Sequence, residues 1–327
     1  MQIMGEGVKV ILDTDPGGDD ILALLWLTSL IRQGYGELVA VTTVQGNVSA
    51  ESTFRNASQV LGVVGLENIP VARGVARNCA EIPCADYIHG QDGMGGLSQK
   101  LPPACHDFMT APTADRLLIE ALNRQPGEIT IIAIAPLTNL AAAEQQQPGI
   151  LKAAKEIIIM GGAFAVPGNV STHGEFNIAY DSEAAATVLN SRDDIVILPL
   201  DITHKLIFSP TMLVGIDGDR GNNFLGGFID DLSRFMSATT LFYRESGGKP
   251  GFLVHDAATI AYLFYPETLT WQRAKVEVET QGKFTKGKTF FDNRHIPKSS
   301  ANAWVAVDVD VDNLLASLIA DLRYLLR

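Results

Sequence analysis

Basic charge is scarce in this chain of 327 residues: 25 Lys and Arg stand against 37 Asp and Glu, a formal net charge of −12. A surface of that sign repels phosphate backbones and anionic bilayers, which excludes a broad nucleic-acid or membrane-binding face. Cysteine is rare as well. Cys79, Cys84 and Cys105 are odd in number and lack metal-pair spacing, the usage expected of reduced thiols in a cytoplasmic protein. No apolar run approaches the ~18 residues needed to span a bilayer. The richest, over residues 21–31, is broken by Thr28 and Ser29. The first ten residues hold no basic segment followed by an apolar one, so no secretory signal is expected. Charged residues are few, 19%, and 46% of the chain is apolar, which supplies a large core and excludes intrinsic disorder.

What is present is an alternation of short apolar runs with helical periods. Strands are expected over residues 8–12, 38–44, 69–72, 128–135, 156–160 and 195–200. Helices are expected over 20–32, 49–64, 117–122, 137–146 and 183–189, the first of them apolar nearly all round. Strands that are continuously apolar, rather than alternating, are buried on both faces by crossover helices. The fold class is therefore α/β: an open, mostly parallel, Rossmann-like sheet flanked by helices. A helical and loop-rich C-terminal part follows, with a helix over 223–245, another beginning near His255, strands and loops over 274–311, and a final helix over 311–326. No repeat or low-complexity break divides the chain, so residues 1–327 are expected to form a single domain.

In such sheets ligands bind outside the carboxyl ends of the strands. The first strand runs into Asp13-Thr14-Asp15-Pro16-Gly17-Gly18-Asp19-Asp20, four carboxylates within eight residues. The Pro and two Gly fold the chain back so that the carboxylates converge, and the start of the next helix offsets part of their charge. One such Asp would be read as a helix cap. Four beside a buried strand end repel strongly unless a cation is held. A donor set of oxygen alone selects a hard cation, Ca²⁺ or Mg²⁺, over zinc.

That octapeptide resembles the signature of the inosine–uridine-preferring nucleoside hydrolases. Further matches follow in family order: Val44-Gln45-Gly46-Asn47, His89-Gly90, Ala135-Pro136-Leu137-Thr138-Asn139, Met160-Gly161-Gly162, Glu175-Phe176-Asn177 and His255-Asp256. The resemblance implies Ca²⁺-dependent hydrolysis of the N-glycosidic bond of a small-molecule ribonucleoside to free base and ribose. It implies that Asp15, Asp20 and Asp256, with the main-chain carbonyl of Ile134, ligate the Ca²⁺, and that the ribose hydroxyls and a water complete its shell. Asp19 would be the general base and His255 the leaving-group acid, and Tyr243, twelve residues earlier in an aromatic helix, would assist or close over the base. Asn47, Asn169, Glu175, Phe176 and Asn177 would hold the ribose, and His89, in a Gly-rich loop expected to be mobile, would border it. Asp13 is read as an outer support of the metal site, with a purely structural hydrogen bond as the alternative. A homodimer or homotetramer and a place in nucleoside salvage are also implied.

The match is not complete. Ile21 stands where the family commonly has Ala, the loop over residues 163–168 varies in length among family branches, and His173 precedes Glu175. Trp26, Trp271 and Trp304 are none of them placed to wall a purine pocket, so a broad or pyrimidine-tolerant base preference is expected. His106 and His295 are read as surface residues, His173 as a rim group, and His204 is given no role. Two rival readings stand. A Mg²⁺-dependent phosphohydrolase would begin with the same Asp-x-Asp and would need a cation for phosphate, for which Lys205 is the candidate. A non-catalytic Ca²⁺-dependent ribonucleoside binder would keep the site without turnover.

Overall fold

The computed structural model describes residues 7–76, 82–213, 223–294 and 300–327. Cys79 and His295 lie outside them. The first strand, β1 (Val8–Thr14), is buried from Val10 onward, as its unbroken apolar sequence requires. To one side of it lie β2 (Gly36–Thr43) and β3 (Val71–Ala72), and to the other β4 (Ile129–Ala133), β5 (Glu156–Met160) and β6 (Ile195–Leu198), all parallel. Two short strands, β7 (Ile207–Phe208) and β8 (Phe252–Leu253), pair with each other. The sheet is finished by β9 (Leu269–Ala274) and β12 (Ala303–Val309), while β10 (Val276–Val278) and β11 (Thr289–Phe291) form a separate hairpin. The order of the eight-stranded sheet is β3-β2-β1-β4-β5-β6-β12-β9. Only β9 runs antiparallel, at the edge, where its outward residues are partly exposed. The mostly parallel α/β architecture expected from the sequence is the one observed.

Crossovers are made by α1 (Gly18–Arg32), α2 (Ala50–Val63), α4 (Ala114–Arg124), α5 (Thr138–Gln146) and α7 (Ser182–Leu189), with α3 (Asp86–His89), α6 (Phe176–Tyr180) and α8 (Leu200–Thr203) as single turns near the strand ends. The later part adds α9 (Phe224–Tyr243), α10 (Ala257–Phe264) and α11 (Val311–Leu325). Among the described residues no helix is long and apolar enough to cross a membrane.

The all-round apolar character of α1 has a direct cause: every residue from Gly18 to Leu30 is buried, with α11, α10, α9 and α2 packed about it. Its one indole, Trp26, is wholly buried and donates its N–H to Asp321 of α11 at 2.7 Å. The same carboxylate accepts from Tyr265 at 2.6 Å and Gln33 at 2.8 Å, so a buried charge is satisfied three times over.

Two strands are shorter than their apolar runs. The run over 69–72 pairs only at Val71–Ala72, since Pro70 has no N–H to donate to the ladder. The run over 195–200 stops at Leu198, where Pro199 interrupts it and α8 begins. The chain runs outward from β1 through β2 to β3, then returns to β4 on the other flank. The point where strand order reverses therefore lies between β1 and β4, and the ends of those two strands are where a ligand crevice must open.

Candidate active site

Asp13 and Ile134 stand side by side at that crevice, the Ile134 N–H donating to the Asp13 carbonyl at 2.9 Å. Beyond Asp13 the chain turns at Pro16 and Gly17 and enters α1 at Gly18. The turn is tight because two other side chains press on it. A Cβ on Gly17 would lie 2.5 Å from His89 Nδ1 and 2.8 Å from Asn47 Nδ2. Asp20 is held by donors from all sides: Thr14 Oγ1 at 2.7 Å and the Asp15 N–H at 3.2 Å reach Oδ1, while the Gly17 N–H at 3.1 Å and Asn47 Nδ2 at 2.9 Å reach Oδ2. Asp15 Oδ2 accepts the Asn47 N–H at 2.7 Å. Asn47, expected at the ribose, thus also clamps two of the carboxylates.

Three carboxylates, Asp19, Asp20 and Asp256, bring an oxygen each within 4.8 Å of one another, all buried. Asp20 and Asp256, both expected as ligands, are in this trio with Asp19, while Asp15, the third expected carboxylate, accepts the Asn47 N–H beside Asp20. Asp256 comes from the start of α10, on the other side of the chain's sequence. Burial pushes Asp19 up to about 8, with the Asp20 charge adding to it and the His255 backbone N–H opposing it. Burial likewise raises Asp256 well above the ordinary range, the charges of Asp19, Asp20 and Asp15 adding to it. Glu175 and Glu245 line the same cavity, and none of the lining residues is Lys or Arg. So dense a negative charge, without an internal cation, is the environment of a hard divalent ion, and an all-oxygen donor set fits one.

Asp13 lies deeper than this, wholly buried and outside the cavity lining. One of its oxygens accepts from Thr42 at 2.5 Å and Asn139 at 2.7 Å, the other has no partner among the described residues, and burial pushes the group up to about 7. It supports the ends of β1, β2 and α5 from behind the site.

The other wall is built at the ends of β4 and β5. Asn177 Nδ2 donates to the carbonyls of Ile134 at 3.2 Å and Met160 at 3.1 Å. Glu175 caps α6, accepting the N–H groups of Asn177, Ile178 and Gly162 at 2.8, 3.1 and 3.0 Å, and burial still holds its carboxyl above the usual range. Asn169 Oδ1 accepts the Phe176 N–H at 2.8 Å, which ties the exposed loop over 163–174 to the same helix. Asn169, Glu175, Phe176, Asn177 and Ile134 all face the cavity.

Both expected histidines reach it too. His89 Nδ1 accepts the Gly18 N–H at 3.0 Å, and burial pushes the ring down to about 4. The loop after it is not slack: Asp92 accepts the N–H groups of Met94, Gly96 and Ser98, and Asn56 Nδ2 bridges the carbonyls of Asp92 and Pro16. His255 Nδ1 meets Thr203 Oγ1 at 2.8 Å and packs edge-on against His204 at 5.6 Å. Burial, helped by His204 and His89, pushes its ring down to about 3.

Of the residues expected to be catalytic, Asp19 and His255 line the cavity and Tyr243 does not. It is 46% exposed at the rim, edge-on to Tyr87 at 5.3 Å, and it is Tyr87 that lines the cavity. His173 lies outside the lining, and His106, expected at the surface, is half-buried against Ser58 at 2.8 Å. Met236, Thr240 and Glu245, which line the cavity, and Thr203 and His204, which contact His255, were not legible from the sequence, since nothing local marks which side of α8, α9 or the turns after them faces the site. Lys205 pairs with Asp308 at the surface at 2.8 Å, where it can hold no phosphate over the carboxylates.

The family model described as inosine-uridine preferring nucleoside hydrolase matches residues 10–316. Uridine nucleosidase 1 of Arabidopsis thaliana is 34% identical over 333 residues, covering 98% of this chain and 94% of its own. The non-specific ribonucleoside hydrolase RihC of Escherichia coli is 36% identical over 309 residues, covering 93% and 94%. Among solved structures, a plant nucleoside hydrolase superposes with a TM-score of 0.84 at 33% identity, covering 97% of this chain and 99% of its own. A purine-preferring ribonucleoside hydrolase from Gardnerella vaginalis gives 0.87 at 25% identity, covering 97% and 98%. With Lys205 turned away and the whole length accounted for, the phosphohydrolase reading falls. The chain belongs to the inosine–uridine preferring nucleoside hydrolase family and is by class an N-ribosyl hydrolase.

Proposed function

We propose that the protein hydrolyses ribonucleosides to free base and ribose with a bound Ca²⁺, accepting a broad or pyrimidine-tolerant range of bases. The observation that carries this is the convergence of Asp19, Asp20 and Asp256 within 4.8 Å, in a cavity that no Lys or Arg lines. Asp20, Asp256 and the Ile134 carbonyl would hold the ion, with Asp15 completing the set. A bound cation would compensate the clustered charge and supply Lewis acidity at the site. Asp19, beside those ligands and facing the cavity, takes the proton from the attacking water. Glu175 and Asn177 orient the ribose at the ends of β4 and β5. Their oxygens favour the positive character that the ring gains as the glycosidic bond lengthens. His89 presents Nε2–H to the substrate. His255 stands where the base departs and supplies the leaving group with its proton.

The pyrimidine-tolerant reading is supported by the tryptophans. Trp26 is sealed in the core and Trp304 is engaged with Arg273 on the sheet's surface, so no indole walls the cavity. A single catalytic unit along the whole chain, in the cytoplasm and as a homodimer or homotetramer, completes the proposal; light scattering checks the assembly.

Free ribose released from inosine, uridine, cytidine and adenosine, before and after chelation, tests the function. Chelator-sensitive release restored by Ca²⁺ is the expected result. Nucleoside binding without release would instead identify a Ca²⁺-dependent binder. Release that persists without a divalent ion would overturn the metal assignment.

A further inference from the structure

We infer that Glu245 is a specificity-determining residue whose carboxylate accepts a hydrogen bond from an N–H on the edge of the nucleobase remote from the glycosidic bond. The inference deepens the hydrolase reading above and rests on it.

The carboxylates around the cavity divide by what they already hold. Asp20 accepts four hydrogen bonds, Glu175 accepts three backbone N–H groups, and Asp15 is engaged by Asn47. Asp19 and Asp256 belong to the converged trio. Glu245 lines the same cavity, and no hydrogen bond or ion pair from a described residue reaches its carboxyl. Its acceptor capacity is uncommitted, and no Lys or Arg lines the cavity to take it up.

Its position is also specified by the backbone. Helix α9 ends at Tyr243, and Arg244 adopts φ 61° and ψ 25°, the one non-glycine residue with positive φ among those described. That left-handed conformation, unusual for a side chain with a Cβ, turns the chain back over the helix end. The Arg244 N–H donates to the Leu241 carbonyl at 3.2 Å, and the Glu245 N–H to the Thr240 carbonyl at 3.0 Å. The turn is therefore pinned, and it sets Glu245 beside Tyr87 at the exposed mouth, near enough to Asp19 for the two charges to interact.

The mouth is the base's end of the cavity. The ribose end is fixed by Ile134, Asn177 and Glu175 at the strand ends, so a nucleoside seated there points its base outward, past His255, toward α9. A base entering this mouth strips water from the Glu245 carboxylate. That loss is recovered only when the base offers an N–H in return, and a site built this way discriminates against an analogue lacking the donor. Uracil offers N3–H, hypoxanthine N1–H, and cytosine an amino group; a base methylated at the donor nitrogen offers none.

The test compares kcat/KM for uridine and 3-methyluridine, each expressed relative to p-nitrophenyl riboside, whose leaving group carries no N–H. The Ca²⁺-loaded wild type, E245L and E245Q are measured side by side. The wild type should prefer uridine by roughly 10- to 100-fold, the range of a hydrogen bond to a charged group. In E245L the preference should collapse to about twofold, while E245Q, which keeps one acceptor oxygen, retains part of it. An E245L preference equal to that of the wild type overturns the inference, since a purely steric exclusion of the methyl group would survive the substitution. Absence of turnover on all three substrates by the wild type would mark failure of the hydrolase reading instead.

Discussion

His89 Nδ1 accepts the backbone N–H of Gly18, the first residue of α1, at 3.0 Å. A helix's first N–H groups have no partner within the helix, and this imidazole satisfies one of them. Accepting at Nδ1 requires the proton to sit on Nε2, so the ring is neutral and offers a donor to the cavity. The wall that faces substrate is thereby tuned by the same contact that caps the helix carrying Asp19 and Asp20.

This contact has a pH signature. Burial pushes His89 down to about 4 from 6.5, so between those values the unfolded chain takes up a proton that the native ring refuses. Stability from this group is complete above pH 6.5 and is lost as pH falls toward 4, by up to about 3 kcal/mol. H89N keeps an acceptor for the Gly18 N–H and cannot titrate. Urea unfolding of both proteins at steps from pH 7 to pH 4 should show the wild type losing stability faster. Parallel curves would remove His89 as the cause.

Asp19→Asn removes the proposed base while leaving Asp20 and Asp256 in place. The expected loss in kcat is roughly 10²- to 10⁴-fold, with ribonucleoside affinity retained. Turnover near that of the wild type would show that another group takes the proton.

His255→Ala should slow uridine and inosine far more than p-nitrophenyl riboside, whose leaving group departs without a proton. Measured kcat values on the three substrates separate the roles. Equal losses would mean that His255 positions the sugar and does not serve the base.

Asp321→Ala leaves the N–H of Trp26 and the hydroxyl of Tyr265 without their shared acceptor. Stability should fall by about 2–4 kcal/mol, the consequence of stranding buried donors. Denaturant unfolding of the variant measures it, and a change under 1 kcal/mol would show that water or another acceptor takes their place.

The sheet was readable because each central strand is an unbroken apolar run, which only a doubly covered parallel strand uses. The carboxylate turn was readable because four acids, a Pro and two Gly fall in one octapeptide at the end of a buried strand. The partition between Asp15 and Asp19 was not, since it depends on Asn47 arriving from the end of β2 to engage Asp15. The far wall was harder still. Tyr243, expected to assist or close over the base, lies at the rim, and Met236, Thr240 and Glu245 take the cavity side. His204 gave no signal because its partner His255 lies in a different element, and the pair meets only when β7 and β8 come together.

Asp20 and Asp256 share one cluster although most of the chain separates them. During synthesis the signature turn leaves the ribosome early, attached to a helix whose apolar sides cannot yet be covered by α9, α10 or α11. The cluster closes only after the late helices dock, so a truncated or half-folded product carries the recognisable octapeptide with no chemistry behind it. Capture of the proposed cation would therefore require the docked late helices that bring Asp256 to Asp20.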